Sequence, residues 1–338
     1  MRKLFFLIVL IVLFSSFVFC EEEQEPAVPP VVSLALPAAD MPIADIDDPE
    51  VLWTQFLLTS NTERMTEILA VLGTTGKGNR RIVNNLNDYL MGLNLLFRSG
   101  VAAHYTLVSA CISAIMELGD SSSYPALFSV LYAGYPEVIA NEALGAMEEI
   151  PGNLFQFLLN VVVNNPPEEK FAAFRSGINS RRLSISERGQ LAEHALEQSL
   201  ADTEDNVYLL SLRYASVISL TGLRWTRANA LAIRHYYRVQ SDFLHDNVSK
   251  QFFIEAIACL GAVGNSDAAL VLGLQLGLIN ARTETTGAFD PDITMAIVQA
   301  LGNIGFSAVF DHLLYIGTLA YPEDIQTAAR EAVARLRW

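Results

Sequence analysis

From residue 51 onward the chain alternates apolar stripes of 12 to 20 residues with short breaks of Gly, Pro, Asn or Asp. Within a stripe the apolar positions recur three and four residues apart. In "NTERMTEILAVL" they are Met65, Ile68, Leu69 and Leu72, which share one helical face. Roughly 14 such segments follow one another, and no stretch alternates convincingly with period two. "NVVVNN" at 160–165 comes nearest to a strand, yet it continues the stripe of "LFQFLL" and reads as the end of a helix. The pattern predicts an all-α chain.

The breaks read as helix ends. "DDPEVLWTQFLL" opens with an Asp cap and Pro49 in the first turn. "GTTGKGNRR" at 73–81 sets glycines around a lysine, the raw material of a phosphate loop. A P-loop, however, needs four residues between its first glycine and the Gly-Lys pair, then Ser or Thr. Here only Thr74 and Thr75 intervene, Gly78 stands where the hydroxyl belongs, and the preceding segment is helical. Gly73 is expected to end one helix and Asn79 to cap the next.

Two segments repeat. In "AIACLGAVGNSDAALVLGL" (256–274) Leu260, Gly261, Val263 and Gly264 match Leu301, Gly302, Ile304 and Gly305 of "AIVQALGNIGFSAVFDHLL" (296–314), an offset of 41. Fainter copies occupy 113–159 and 214–231, and the pattern is weakest between 160 and 210. It resembles the HEAT-like repeat of the PBS-lyase type, a helix ending in Ala-Leu-x-x-Leu-Gly followed by a turn and a second helix. The resemblance implies an α-solenoid (α-α superhelix) and concerns packing residues, so it implies no activity. The physics agrees: a short helix pair cannot hide its apolar faces alone, so pairs stack and share a core. Roughly seven pairs hold every segment. Glycine and alanine at the junctions are expected to bring the two helices of a pair close. "PEDIQTAAREAVARLRW" at the C-terminus, with Arg330, Arg335 and Arg337 late in it, reads as the closing cap. Cys111 and Cys259 lie on apolar stripes 148 residues apart, and are expected to be buried free thiols.

Composition divides the chain. Residues 1–20, "MRKLFFLIVLIVLFSSFVFC", are a charged start and an apolar run, the pattern of a secretory signal with Val18 and Cys20 at its cleavage site. Two alternatives are lipid attachment at Cys20, which bulky Phe19 opposes, and retention of Leu4–Phe19 as a short anchor. Residues 21–50 hold nine carboxylates, no Lys or Arg and six of the 13 prolines, which predicts a disordered acidic linker. The solenoid is expected over 51–338. With 37 acidic against 22 basic side chains the net charge is −15, or −17 once Arg2 and Lys3 are gone, which excludes a general nucleic-acid binder. Membrane contact is expected only if the N-terminus is retained or lipidated.

Chemistry is sparse. "FLHDN" supplies His245-Asp246, which with His194 or His235 and Asp290 or Asp292 resembles the metal-binding set of HD-type phosphohydrolases. No Gly-x-Ser-x-Gly elbow and no metal-spaced cysteines occur, so no catalytic residue, metal or cofactor is assigned. One stretch stands out: Asn206–Ser241 has no Asp or Glu but contains Arg213, Arg224, Arg227, Arg234 and Arg238. On a single helix Arg227, Arg234 and Arg238 share a face, with Trp225 and Tyr237 close by. Arg224, Trp225, Arg227, Arg234, Tyr237 and Arg238 are the candidate docking strip. Either it pairs with acidic side chains of adjacent repeats, or it takes an acidic or extended protein partner, the linker 21–50 included. The expectation is a non-enzymatic, exported binding or scaffolding protein of a bacterial envelope or periplasm. The alternatives are the hydrolase and a purely structural envelope component.

Overall fold

The computed structural model describes Ile43, residues 46–201 and residues 206–338. The expected signal, and the linker up to residue 42, lie outside the described residues. Among those described there are sixteen α-helices and no strand. Asp48 caps α1 (Pro49–Leu58) by accepting the Glu50 amide at 2.9 Å. Asn61 caps α2 (Thr62–Thr75), and Asn79 caps α3 (Arg80–Arg98) through the Arg81 and Ile82 amides. Each gives an acceptor to amides that lack one inside the helix. Next come α4 (Tyr105–Leu118), α5 (Tyr124–Leu131), α6 (Glu137–Glu149), α7 (Leu154–Asn164) and α8 (Pro167–Asn179). They are followed by α9 (Ile185–Ala201), α10 (Val207–Leu223), α11 (Asn229–Leu244) and α12 (Lys250–Val263). The last four are α13 (Ser266–Thr286), α14 (Pro291–Ile304), α15 (Phe310–Tyr315) and α16 (Glu323–Ala334).

The helices pack in steps of two. α2 lies on α4 and α4 on α6; further on, α8 lies on α10, α10 on α12, α12 on α14 and α14 on α16. The odd-numbered helices form a second row, and consecutive helices such as α1 and α2, α5 and α6, or α13 and α14 join the rows. Between them runs one continuous apolar core, which also takes in Ile43 and Ile46 from the stretch read as linker.

Glycine sets the spacing within the even row. A Cβ placed on Gly261 of α12 would stand 2.8 Å from the Ala300 Cα of α14, and one on Gly302 would stand 2.9 Å from the Ala332 Cβ of α16. Gly73 meets the Ala114 Cα of α4 at 3.1 Å in the same way. These contacts correct two expectations. The close approach is between successive pairs rather than inside a pair, and Gly73 lies buried within α2, which runs on to Thr75 before Gly76 caps it. Asn79 caps α3 as expected. Both Cys111 and Cys259 are buried and free; burial pushes their thiols up to about 12 and about 11, far from reactive thiolates.

Gly261→Val is expected to lower stability by about 3 kcal/mol, because the contact is backbone against backbone and α14 must move away. Gly92 lies in α3 with nothing within 4 Å of an added Cβ, so Gly92→Ala is expected to gain about 0.5–1 kcal/mol. Denaturant unfolding of both variants checks the opposite signs.

Candidate functional site

The structure splits the arginine strip. Arg227 is not in α11 but in a 3-10 turn, Thr226–Ala228, ahead of it. There its Nε stands 3.5 Å from Glu193 Oε2 of α9, with the guanidinium 5.7 Å from the centre of the Trp225 ring. Trp225 donates its indole N–H to the same Glu193 oxygen at 2.7 Å and lies over Gly189, where any Cβ would strike the ring. Arg238 pairs with Asp242, Nε to Oδ2 3.8 Å, and the buried Arg213 reaches that oxygen at 3.9 Å. Arg224 is exposed in the left-handed C-cap of α10 at φ 49°. Only Arg234 and Tyr237 remain together on the outward face of α11, and Arg234 has no ion pair among the described residues. Internal acidic partners therefore take up Arg227, Arg238 and Trp225, because residue 227 precedes the helix that was to align it with 234 and 238.

On the buried face of α11 lies His235, 1 % exposed, with neither ring nitrogen bonded among the described residues. Burial, then the charge of Arg213, pushes its pKa down to about 3, so the ring is neutral. The other residues of the hydrolase alternative are scattered. His245 sits in the turn after α11, with Nδ1 2.7 Å from the Ser241 carbonyl, and Asp246 takes φ 59°. Asp290 and Asp292 both hold Lys250, and His194 lies 3.3 Å from Glu197 on its own helix. Among the described residues no group of three His, Cys, Asp or Glu side chains is placed to hold a metal.

A different site appears where the step-of-two packing lapses. α6 does not close onto α7 or α8, and a groove of about 510 Å³ opens between α6 and α8. Tyr132, Leu144 and Phe171 give it rings and an apolar wall; Asn141, Arg175 and Asn179 give it polar groups; Tyr208 of α10 stands at its rim. The amides of Asn141 and Asn179 are exposed and make no hydrogen bond among the described residues. Arg98 closes one end, 5.1 Å over the Tyr132 ring and 3.5 Å from Glu168.

Polar side chains hold this seam. The Arg182 guanidinium, just past α8, donates to the carbonyls of Ile150 (2.6 Å), Glu148 (3.3 Å) and Gly152, and to the Tyr124 hydroxyl (3.3 Å). It thus caps the C-terminal end of α6, whose carbonyls lack helical partners. Lys170 does the same for α7, donating to Val162 (3.0 Å) and Val163 (2.7 Å) and to Gln198 of α9 (2.9 Å). Burial lowers the pKa of its ammonium. The groove was missed in the sequence, and its one signal was the fading of the repeat after residue 160 at "NNPPEEK".

No protein-family model matches this chain, and no curated protein matches it.

His235 makes stability depend on pH. Between about pH 6.5 and about pH 3 the unfolded chain binds a proton that the folded chain refuses. Stability therefore falls as pH falls through that window, by about 1.4 kcal/mol per unit, and is independent of this group above it. His235→Phe is expected to melt progressively higher than the unaltered protein as pH is lowered from 7 to 4.5. A pH-independent difference in melting temperature would show that the ring is not held neutral.

Proposed function

We propose that this protein is a non-enzymatic, exported scaffold, an α-solenoid of HEAT-like helix pairs that binds an extended segment of a protein partner in the groove between α6 and α8. The step-of-two packing and the 41-residue offset of its closest internal repeat support the solenoid. Export rests on the pattern of residues 1–20 and places the protein in the envelope or periplasm of a bacterium.

The groove carries the binding reading. Its volume lies within the range of ligand sites, and its wall mixes rings, the apolar side chains of Leu131 and Leu144, and polar groups of both charges. The unbonded amides of Asn141 and Asn179 stand on opposite walls and each offers one acceptor and two donors, which match the main chain of an extended peptide. Tyr132, Phe171 and Tyr208 offer surfaces for its side chains, and Arg175 a place for a carboxylate. The remaining exposed pair, Arg234 and Tyr237, is a second and smaller contact for the same acidic or extended kind of partner.

Purified from its host, the protein is expected to begin at Glu21 by N-terminal sequencing; a chain beginning at Met1 would retire the cleaved signal. Affinity capture from envelope extract tests the groove. A partner held by the unaltered protein should be lost with Arg175→Glu combined with Tyr208→Ala, both exposed changes, and kept, at reduced yield, with Arg234→Glu. Equal capture by all three would remove the groove as the docking site.

A further inference from the structure

α13 carries a face that the groove does not explain. Leu270, Leu274 and Leu278 follow one another at four-residue intervals and are 49 %, 68 % and 68 % exposed. The opposite face is also apolar and is buried through Ala269, Leu272, Leu276 and Gly273. A helix apolar all round is normally covered on both sides. Its neighbours extend the patch. The backbone N–H of Asn265, just before α13, donates to the Asn229 side chain at the start of α11 (3.1 Å), and Gln240 donates to Gln275 (2.9 Å), so α11 and α13 run parallel in matched register. That places exposed Tyr237 beside the leucines on one side. On the other, Asn280 donates to the His312 carbonyl and the His312 ring lies against Gly277, which seats α15 beside α13.

We infer that this face joins two copies of the chain, with α13 of one antiparallel to α13 of the other about a two-fold axis at Leu274. The charges argue for a second copy. At 3.6 residues per turn Asp267, the three leucines and Arg282 fall in one sector about 120° wide. Leu274 is the midpoint of Leu270 and Leu278 and lies within half a residue of the midpoint of Asp267 and Arg282. A two-fold there sets Leu270 against Leu278 and Asp267 of each copy against Arg282 of the other. Neither charge has an ion pair among the described residues, and no charged side chain stands between them on the sector. A shallow crossing of roughly 20° keeps both ends in reach over the ~22 Å that separates them.

The area fits a weak dimer. The three leucines with Tyr237 leave roughly 450 Å² of exposed surface, within the range of the largest patch on a monomer, and pairing removes about 900 Å² in all, the low end of specific interfaces. An anionic bilayer fits the same face poorly, since Arg282 is opposed by Asp267 and the chain without Arg2 and Lys3 carries −17.

The test is sedimentation velocity on the purified protein from its host, with four variants. The unaltered protein should form a dimer in the micromolar range, and Leu274→Glu, which sets two carboxylates face to face on the axis, should leave it monomeric. Asp267→Arg and Arg282→Glu should each weaken dimerisation about tenfold, and the double reversal should restore it to within about threefold. Because Leu274 is largely exposed, the melting curve of Leu274→Glu should match that of the unaltered protein; were it unfolded, the charge series alone would decide. A monomer at 100 µM, a dimer untouched by Leu274→Glu, or a double reversal no better than the single ones would each overturn the pairing. Flotation of a monomeric protein with phosphatidylglycerol vesicles would assign the face to a membrane and equally overturn it.

Discussion

The structure depends on one steric constraint: at three crossings of the even row, near both ends of the chain, one helix lies so close to the next that an added Cβ would stand 3.1 Å or less from it. Gly73 against Ala114, Gly261 against Ala300 and Gly302 against Ala332 are the same contact made three times. Close backbone approach lets the flanking side chains interdigitate, and no helix pair could bury its apolar faces without the neighbour so brought in. The 41-residue offset in the sequence carries a trace of this contact, since Gly261 and Gly302 are one of its matched pairs.

Where the contact fails, polar side chains substitute for it. Between α6 and α8 no glycine seats one helix on the next, and Arg182 and Lys170 instead hold the exposed carbonyl ends of α6 and α7. Hydrogen bonds to a charged donor stabilise a helix end without bringing two helix axes together. The space left over is the groove. The proposed binding surface and the packing defect are therefore one feature of this chain.

Much of this was legible in the sequence. Helical periodicity, the caps at Asp48 and Asn79 and the burial of both cysteines follow from local pattern and chemistry. The misreadings share one cause: periodicity reports that a face is apolar, not what lies against it. Gly73 resembled a helix end because nothing in its own segment shows α4 pressing on it. Arg227 resembled a member of the α11 face because a single turn of 3-10 helix before Asn229 leaves no mark on the apolar pattern. The groove depended on the absence of a contact, which no local pattern encodes.

The seam at Arg182 also bears on how the protein comes apart. Contacts between helices one or two apart in the chain close short loops, so folding can start within any few neighbouring pairs and spread outward at little entropic cost. Cooperativity then passes from pair to pair only as strongly as each interface couples them. The interface after α6 is the weakest link, because α6 packs directly on neither α7 nor α8 and the seam is held by Arg182, the Arg98–Glu168 ion pair and the ring contacts of Tyr124 and Phe128 with Phe157. Under heat or tension the chain therefore divides there first, into a block of six helices and a block of ten, and the groove is the line along which it parts.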